Sequence, residues 1–291
     1  MTGATSVCAV GATLGEGPCW SVSEQKLWFV DIKQKKIHRF DPVEERLESW
    51  DAPAQPGWIL PASDGSLITG LQSGLHRFDP ASKRFIALAA PEADIPGNRL
   101  NDATVDPRGR LWFGSMDDGE TEATGQVWQY DRGHIAKARI APVTITNGPA
   151  FSPNGRILYH VDTLGRTIHA FDVTNDGMVS GHRVFATIEE GKGYPDGPTV
   201  DSEGNVWIAL FGGWGVRRYS PSGELTGFVR LPVANVTKIA FGGSGFRTAY
   251  ATTARKGLSD AELADQPHAG DLFSFRVEVP GLPMTAISLD N

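Results

Sequence analysis

Six positions at one phase of a repeating pattern carry the side chains best placed to do chemistry: Glu16, Gly57, Asn101, Asn147, Asp196 and Thr237. Three of them open near-identical tripeptides, Glu16-Gly17-Pro18, Asn147-Gly148-Pro149 and Asp196-Gly197-Pro198. A lone Asp or Asn before glycine is ordinarily a turn former, because its oxygen bonds nearby backbone amides. Gly57 and Thr237 occupy the same phase, however, so the repeat itself does not demand a carboxylate or a carboxamide there. Oxygen donors far apart in sequence but equal in phase converge if the repeat closes into a ring, and such oxygens suit a hard divalent cation. The pattern therefore predicts a metal site near the ring axis. A second group, Arg99-Leu100-Asn101-Asp102, falls at that phase in the third unit, where Arg99 and Asn101 are suited to hydrogen-bonding a polyhydroxylated ligand. The acidic run Asp117-Asp118-Gly119-Glu120-Thr121-Glu122 is expected to be a solvated loop overhanging the same mouth.

These residues need a scaffold that repeats. Each phase residue leads through a small apolar strand and a turn into a second, aromatic-rich strand such as Leu27-Trp28-Phe29-Val30-Asp31, Leu111-Trp112-Phe113-Gly114 or Val206-Trp207-Ile208-Ala209. A third element closes each unit, as in Ile37-His38-Arg39-Phe40-Asp41, Leu75-His76-Arg77-Phe78-Asp79 and Ile168-His169-Ala170-Phe171-Asp172. The units recur roughly every 40–50 residues, the period of a four-stranded propeller blade. Period-2 alternation and glycine-containing turns favour antiparallel strands, and no stretch carries an apolar stripe at helical period. The expectation is an all-β, six-bladed β-propeller filling residues 1–291 as one domain. The strand after each phase residue lies innermost, placing the metal site at one mouth of the central channel. Ser6-Val7-Cys8-Ala9-Val10 is expected to close the ring by pairing near Met284-Thr285-Ala286-Ile287-Ser288.

Composition narrows the function classes. A chain of 291 residues, 40% hydrophobic, can bury a large core as one unit. Its net charge of -7 argues against a nucleic-acid partner, which needs a clustered basic face. The N-terminal stretch has neither a basic region nor a long apolar run, and no segment is apolar enough to span a bilayer, so a cytoplasmic location without membrane attachment is expected. Cys8 and Cys19 read as two small buried thiols. His38, His76 and His169 recur at one place in the third strand, which makes them scaffold. No His-Glu-x-x-His pair is present, and Ser244 has Phe246 where a Gly-x-Ser-x-Gly elbow needs its second glycine.

Together, Leu14-Gly15-Glu16-Gly17-Pro18-x-Trp20, Arg99-Leu100-Asn101-Asp102, Thr146-Asn147-Gly148-Pro149-Ala150-Phe151-Ser152-Pro153, Tyr194-Pro195-Asp196-Gly197 and Ala240-Phe241-Gly242-Gly243 resemble the SMP-30/gluconolactonase/luciferin-regenerating family, in order and over nearly the whole chain. The resemblance implies a six-bladed propeller that hydrolyses a sugar lactone with one divalent metal. It implies Glu16, Asn147 and Asp196 as metal ligands, and Arg99 and Asn101 as contacts to substrate hydroxyls. The family often carries a further acidic residue near Gly119, a place that Asp117, Asp118 or Glu120 would have to take. Asp196 could also accept the proton of the attacking water. The expected substrate is a small lactone such as xylonolactone or another pentonolactone, or gluconolactone. The expected cofactor is Ca2+, Mn2+, Fe2+ or Zn2+. The competing readings are a non-catalytic metal-binding or interaction propeller and a propeller sugar dehydrogenase, which would call for cationic and aromatic groups on long loops.

Overall fold

Short polar turns decide where the strands stop. Asp106 accepts hydrogen bonds from the amides of Arg108 and Arg110, from Arg110 Nε and from Trp112 Nε1. Asp201 does the same for the amides of Glu203 and Asn205 and for Trp207 Nε1. Gly109 and Gly204 hold positive φ in these two turns, a conformation that side chains with a Cβ resist. One carboxylate thus reverses the chain and fixes the tryptophan of the next strand.

In the computed structural model, which describes residues 3–289, the outcome is six four-stranded sheets, each antiparallel throughout. Blade 1 runs outward through Gly15–Ser21, Lys26–Asp31, Lys36–Asp41 and Arg46–Asp51. The innermost strands of blades 2 to 5 are Pro56–Pro61, Asn98–Val105, Thr146–Phe151 and Tyr194–Val200. Blade 6 joins the two ends of the chain: Val236–Gly242, Thr248–Thr253 and Leu272–Arg276, with Thr5–Cys8 outermost. An N-terminal strand therefore does close the ring, but onto a different partner from the one expected: Thr5 lies opposite Ser274 and Ser6 opposite Phe273. Met284–Ser288 is instead part of a tail that crosses the far face of the ring. Ile287 N donates to Pro61 O, Ser63 N to Ile287 O, and Ser288 N to Gly109 O. Burial of Ile287 beside Trp58 and Leu60 rewards this course, because the underside of the inner strands is apolar.

Each innermost strand breaks register within about one residue of its phase position. The shifts fall between Glu16 and Cys19, Pro56 and Trp58, Leu100 and Ala103, Asn147 and Ala150, Pro195 and Pro198, and Val236 and Lys238. A bulge re-aims the side chain beside it, so the chemical phase of the sequence is also a structural one. Six apolar clusters hold the blades together, one per seam, for example Trp112, Phe151 and Leu158 between blades 3 and 4, or Trp207, Phe241 and Phe275 between blades 5 and 6. The helix the periodicity missed is Asp260–Asp265, six residues set by a capping box in which Ser259 and Glu262 satisfy each other's backbone amides.

Candidate active site

The phase residues do converge on one mouth of the channel. A cavity of about 250 Å³ is lined by Glu16, Arg99, Asn101, Asn147 and Asp196, with Glu120 and Lys256 also on its wall and Leu14, Met116, Ile145, Tyr194 and Phe211 supplying its apolar part. Gly57 and Thr237, at the same phase, serve the seams instead. A Cβ at Gly57 would fall 2.5 Å from Leu100 O and 2.8 Å from Asn101 O, so glycine there admits the inner strand of blade 3. The Thr237 hydroxyl donates to Gly15 O at 2.6 Å, binding blade 6 to blade 1.

Glu16 and Asp196 are 4% and 7% exposed, and among the described residues neither forms a salt bridge. Glu16 Oε2 accepts only the amide of Gly17. Burial, with Asp102 nearby, pushes the Glu16 carboxyl up to about 8. Burial and then the neighbouring Glu16 and Asp102 hold Asp196 well above the usual carboxylate range. Two buried carboxylates without a counter-ion are costly to ionise, and a bound cation is the ordinary way to relieve that cost. Asn147 is oriented to join them: its Nδ2 donates to Thr163 Oγ1 at 2.9 Å, and its Oδ1, pointing the other way, accepts from Asn101 Nδ2 at 3.1 Å. Among the described residues no group of three or more His, Cys, Asp or Glu side chains is arranged to hold a metal ion. The donor set offered here is two carboxylates and a carboxamide oxygen, which fits a hard divalent cation with positions left open.

Arg99 and Asn101 are bound to each other and to this ring. Arg99 Nη1 donates to Asn101 Oδ1 at 2.6 Å, while Nε donates to Asp118 Oδ1 at 2.8 Å. Asn101 Nδ2 donates to Thr146 O at 2.7 Å as well as to Asn147. Its amide nitrogen therefore supports the ligand wall of blade 4. The three acidic candidates of the neighbouring loop separate cleanly. Asp117 turns back to accept the amides of Gly119, Thr121 and Glu122. Asp118 braces Arg99 and also accepts Lys33 Nζ and Gln55 Nε2. Glu120 alone reaches the cavity, where it pairs with Lys256 Nζ. Lys256, Thr163 and Phe211 were not read from the sequence. Phe211 ends the second strand of its blade, as Asp117 ends that of blade 3, while Thr163 and Lys256 follow theirs by one and three residues, so strand-end phase was the signal that could have found them. The buried pair Asp102–Lys238 was also missed, since 136 residues separate its members.

The inner strands of a six-bladed propeller thus deliver two unpaired carboxylates, the carboxamides of Asn101 and Asn147 and an arginine to one mouth of the channel. Residues 14–255 match the SMP-30/Gluconolactonase/LRE-like region, and the chain belongs to that family. It is 35% identical over 271 residues to a 6-deoxy-6-sulfogluconolactonase of Pseudomonas putida, covering 93% of each chain. It is 34% identical to an L-arabinolactonase of Azospirillum brasilense, covering 96% of this chain and 93% of the relative. The crystal structure of a calcium-binding regucalcin from Agrobacterium tumefaciens superimposes with a TM-score of 0.93 at 28% identity, covering 97% of this chain and 96% of that one.

Proposed function

We propose that the chain is a metal-dependent lactonase that opens a sugar lactone, such as a pentonolactone (xylonolactone) or gluconolactone, to the free sugar acid. The observation that carries this reading is the pair Glu16 and Asp196, buried without a cationic partner on a cavity that also exposes the Asn147 carboxamide and Arg99. Relatives named as lactonases and alignable over nine-tenths of their length support the reaction class. Glu16, Asn147 and Asp196 would hold one divalent cation, Ca2+, Mn2+, Fe2+ or Zn2+, each of which carboxylate and carboxamide oxygens accommodate with a different affinity. Bound there, it would supply Lewis-acid polarisation of the lactone carbonyl oxygen.

The chain's own residues do the rest. Arg99 is locked by Asp118 and Asn101, so the N–H groups it has left are preorganised to donate to ring hydroxyls. Asn101 keeps a lone pair on Oδ1 for a substrate hydroxyl while its amide steadies Asn147. Asp196 accepts the proton of the attacking water. Asp196 suits this role because it lines the cavity and no salt bridge occupies its carboxylate among the described residues. Leu14, Met116, Ile145 and Phe211 exclude bulk water from one side of the ring. The test is acid release from gluconolactone and xylonolactone with and without chelator, followed by add-back of each ion. Chelator-sensitive turnover supports the reading. Chelator-insensitive turnover removes the metal, cation binding without turnover leaves a binding propeller, and dye reduction in place of acid release indicates a dehydrogenase.

A further inference from the structure

Beneath the cavity the channel is crossed by one ion pair. Lys238, the residue after Thr237 on the inner strand of blade 6, donates its Nζ to Asp102 Oδ1 on the inner strand of blade 3. The two side chains are 8% and 1% exposed. Each partner abuts a residue next to a candidate ligand. Asp102 Oδ2 accepts the amide of Gly148, beside Asn147, at 2.8 Å. The stem of Lys238 passes Gly197, beside Asp196, so closely that a Cβ there would sit 2.6 Å from its Cγ. The other cations of the wall are matched by loop carboxylates, Arg99 by Asp118 and Lys256 by Glu120. That leaves four buried groups, Glu16, Asp196, Asp102 and Lys238, to fix the charge at the channel centre.

We infer that Lys238 is the charge-setting residue of the site: it cancels Asp102, leaves the ring a net charge of minus two when its carboxylates are ionised, and so matches the centre to a divalent cation. This rests on the proposed metal-dependent reading. A buried centre is cheapest when its charges sum to zero, and a unit charge a few ångström away through partly buried surroundings changes affinity roughly tenfold or more. Lys238 is a positioning residue that touches neither substrate nor cation. Its aliphatic stem fills the space left by Gly197, and its ammonium holds Asp102 in the orientation that pins Gly148.

The test reads cation binding directly, by calorimetry with Ca2+ or Mn2+ and by terbium luminescence, on the full chain. Lys238→Met should tighten divalent binding at least tenfold and raise the preference for Tb3+ over Ca2+. Asp102→Asn, which leaves the lysine in place, should weaken Ca2+ at least tenfold. The double substitution restores the charge and should return affinity to within a few fold of the original. These opposed signs separate charge setting from mere support of the fold, which would weaken binding in both single variants. If Lys238→Met does not fold, Asp102→Asn and the double variant still carry the comparison. Same-sign shifts, or a double variant no closer to the original than Asp102→Asn, overturn the inference and leave the metal reading standing. An unsubstituted chain that binds none of these ions overturns both.

Discussion

Replacing Asp196 by asparagine should make the cation-free protein more stable while removing its response to cations. In the cation-free chain burial pushes Glu16 up to about 8 from its ordinary 4.5. The folded state of such a group prefers the proton, so its contribution to stability is fully present below pH 4.5 and is lost as pH rises towards 8. At pH 7 that single shift costs the folded chain on the order of 3 kcal/mol. Asp196 is raised as well, by burial first and then by the neighbouring Glu16 and Asp102. Asp196→Asn keeps the shape and removes one buried carboxylate that is costly to ionise, so a gain of about 1–3 kcal/mol is expected near neutral pH, and a smaller one at pH 4.5. The assay is thermal unfolding in chelator and in millimolar Ca2+ or Mn2+, at both pH values, beside acid release from gluconolactone. The original chain should rise in Tm with cation, whereas the variant should start higher, show little rise and lose turnover. A variant less stable than the original in chelator would refute the electrostatic reasoning. Undiminished turnover, after subtraction of spontaneous hydrolysis, would refute the role given to Asp196.

Arg99→Ala should raise KM for hydroxylated lactones by roughly fivefold or more for each hydrogen bond lost, with cation affinity little changed; equal loss on an unsubstituted lactone would count against the hydroxyl contact. Thr163→Val frees the Asn147 amide that Thr163 now orients, and should weaken cation binding about five- to tenfold by calorimetry, on the scale of one buried hydrogen bond. Thr237→Val should retain the cation and lose about 1 kcal/mol of stability with the bond to Gly15, measured by denaturant unfolding. His160 is buried with neither ring nitrogen hydrogen-bonded, and burial, followed by the nearby His169 and His182, lowers it to about 3. Below about pH 6.5 the unfolded chain takes a proton the folded chain refuses, so stability falls by up to about 1.4 kcal/mol per pH unit until about pH 3. His160→Leu should flatten that acid slope, and an unchanged slope would show that another group controls it.

Much of this architecture was legible because a circular repeat writes its geometry into its period. The phase of Glu16, Asn147 and Asp196 located the inner strands, and Gly57 and Thr237 marked units where the same place serves a seam. The ring closure was legible only as a need. Alternating apolar residues occur both at Leu272–Arg276 and in the tail near Met284, and a period-2 pattern does not say which segment a strand will pair with. The helix at Asp260–Asp265 is too short to show a stripe, although Ser259 and Glu262 spell its cap. In the loop, Asp117, Asp118 and Glu120 are alike in type and adjacent in sequence. A tight turn sends them respectively to backbone, to Arg99 and to the cavity, and composition holds no record of that divergence.

The sharing of blade 6 between the two ends of the chain governs when the molecule can become itself. Ser6 Oγ reaches Asp271 across 265 residues, and Thr237 reaches Gly15 across 222. Blades 1 to 5 can form in order as the polypeptide leaves the ribosome, since each pairs only neighbouring segments. Throughout synthesis, however, the first blade presents an unmatched flank with Trp20, Leu27 and Phe29 waiting for Ala240, Tyr250 and Leu272. The binding mouth draws its groups from blades on opposite sides of the ring and is held in shape only once that flank is met. Long-range closure of this kind is slow, and an unpaired strand edge is a hazard while it lasts. A chain cut short before residue 236 would therefore keep five blades and still be an open arc, with apolar flanks bared at both ends.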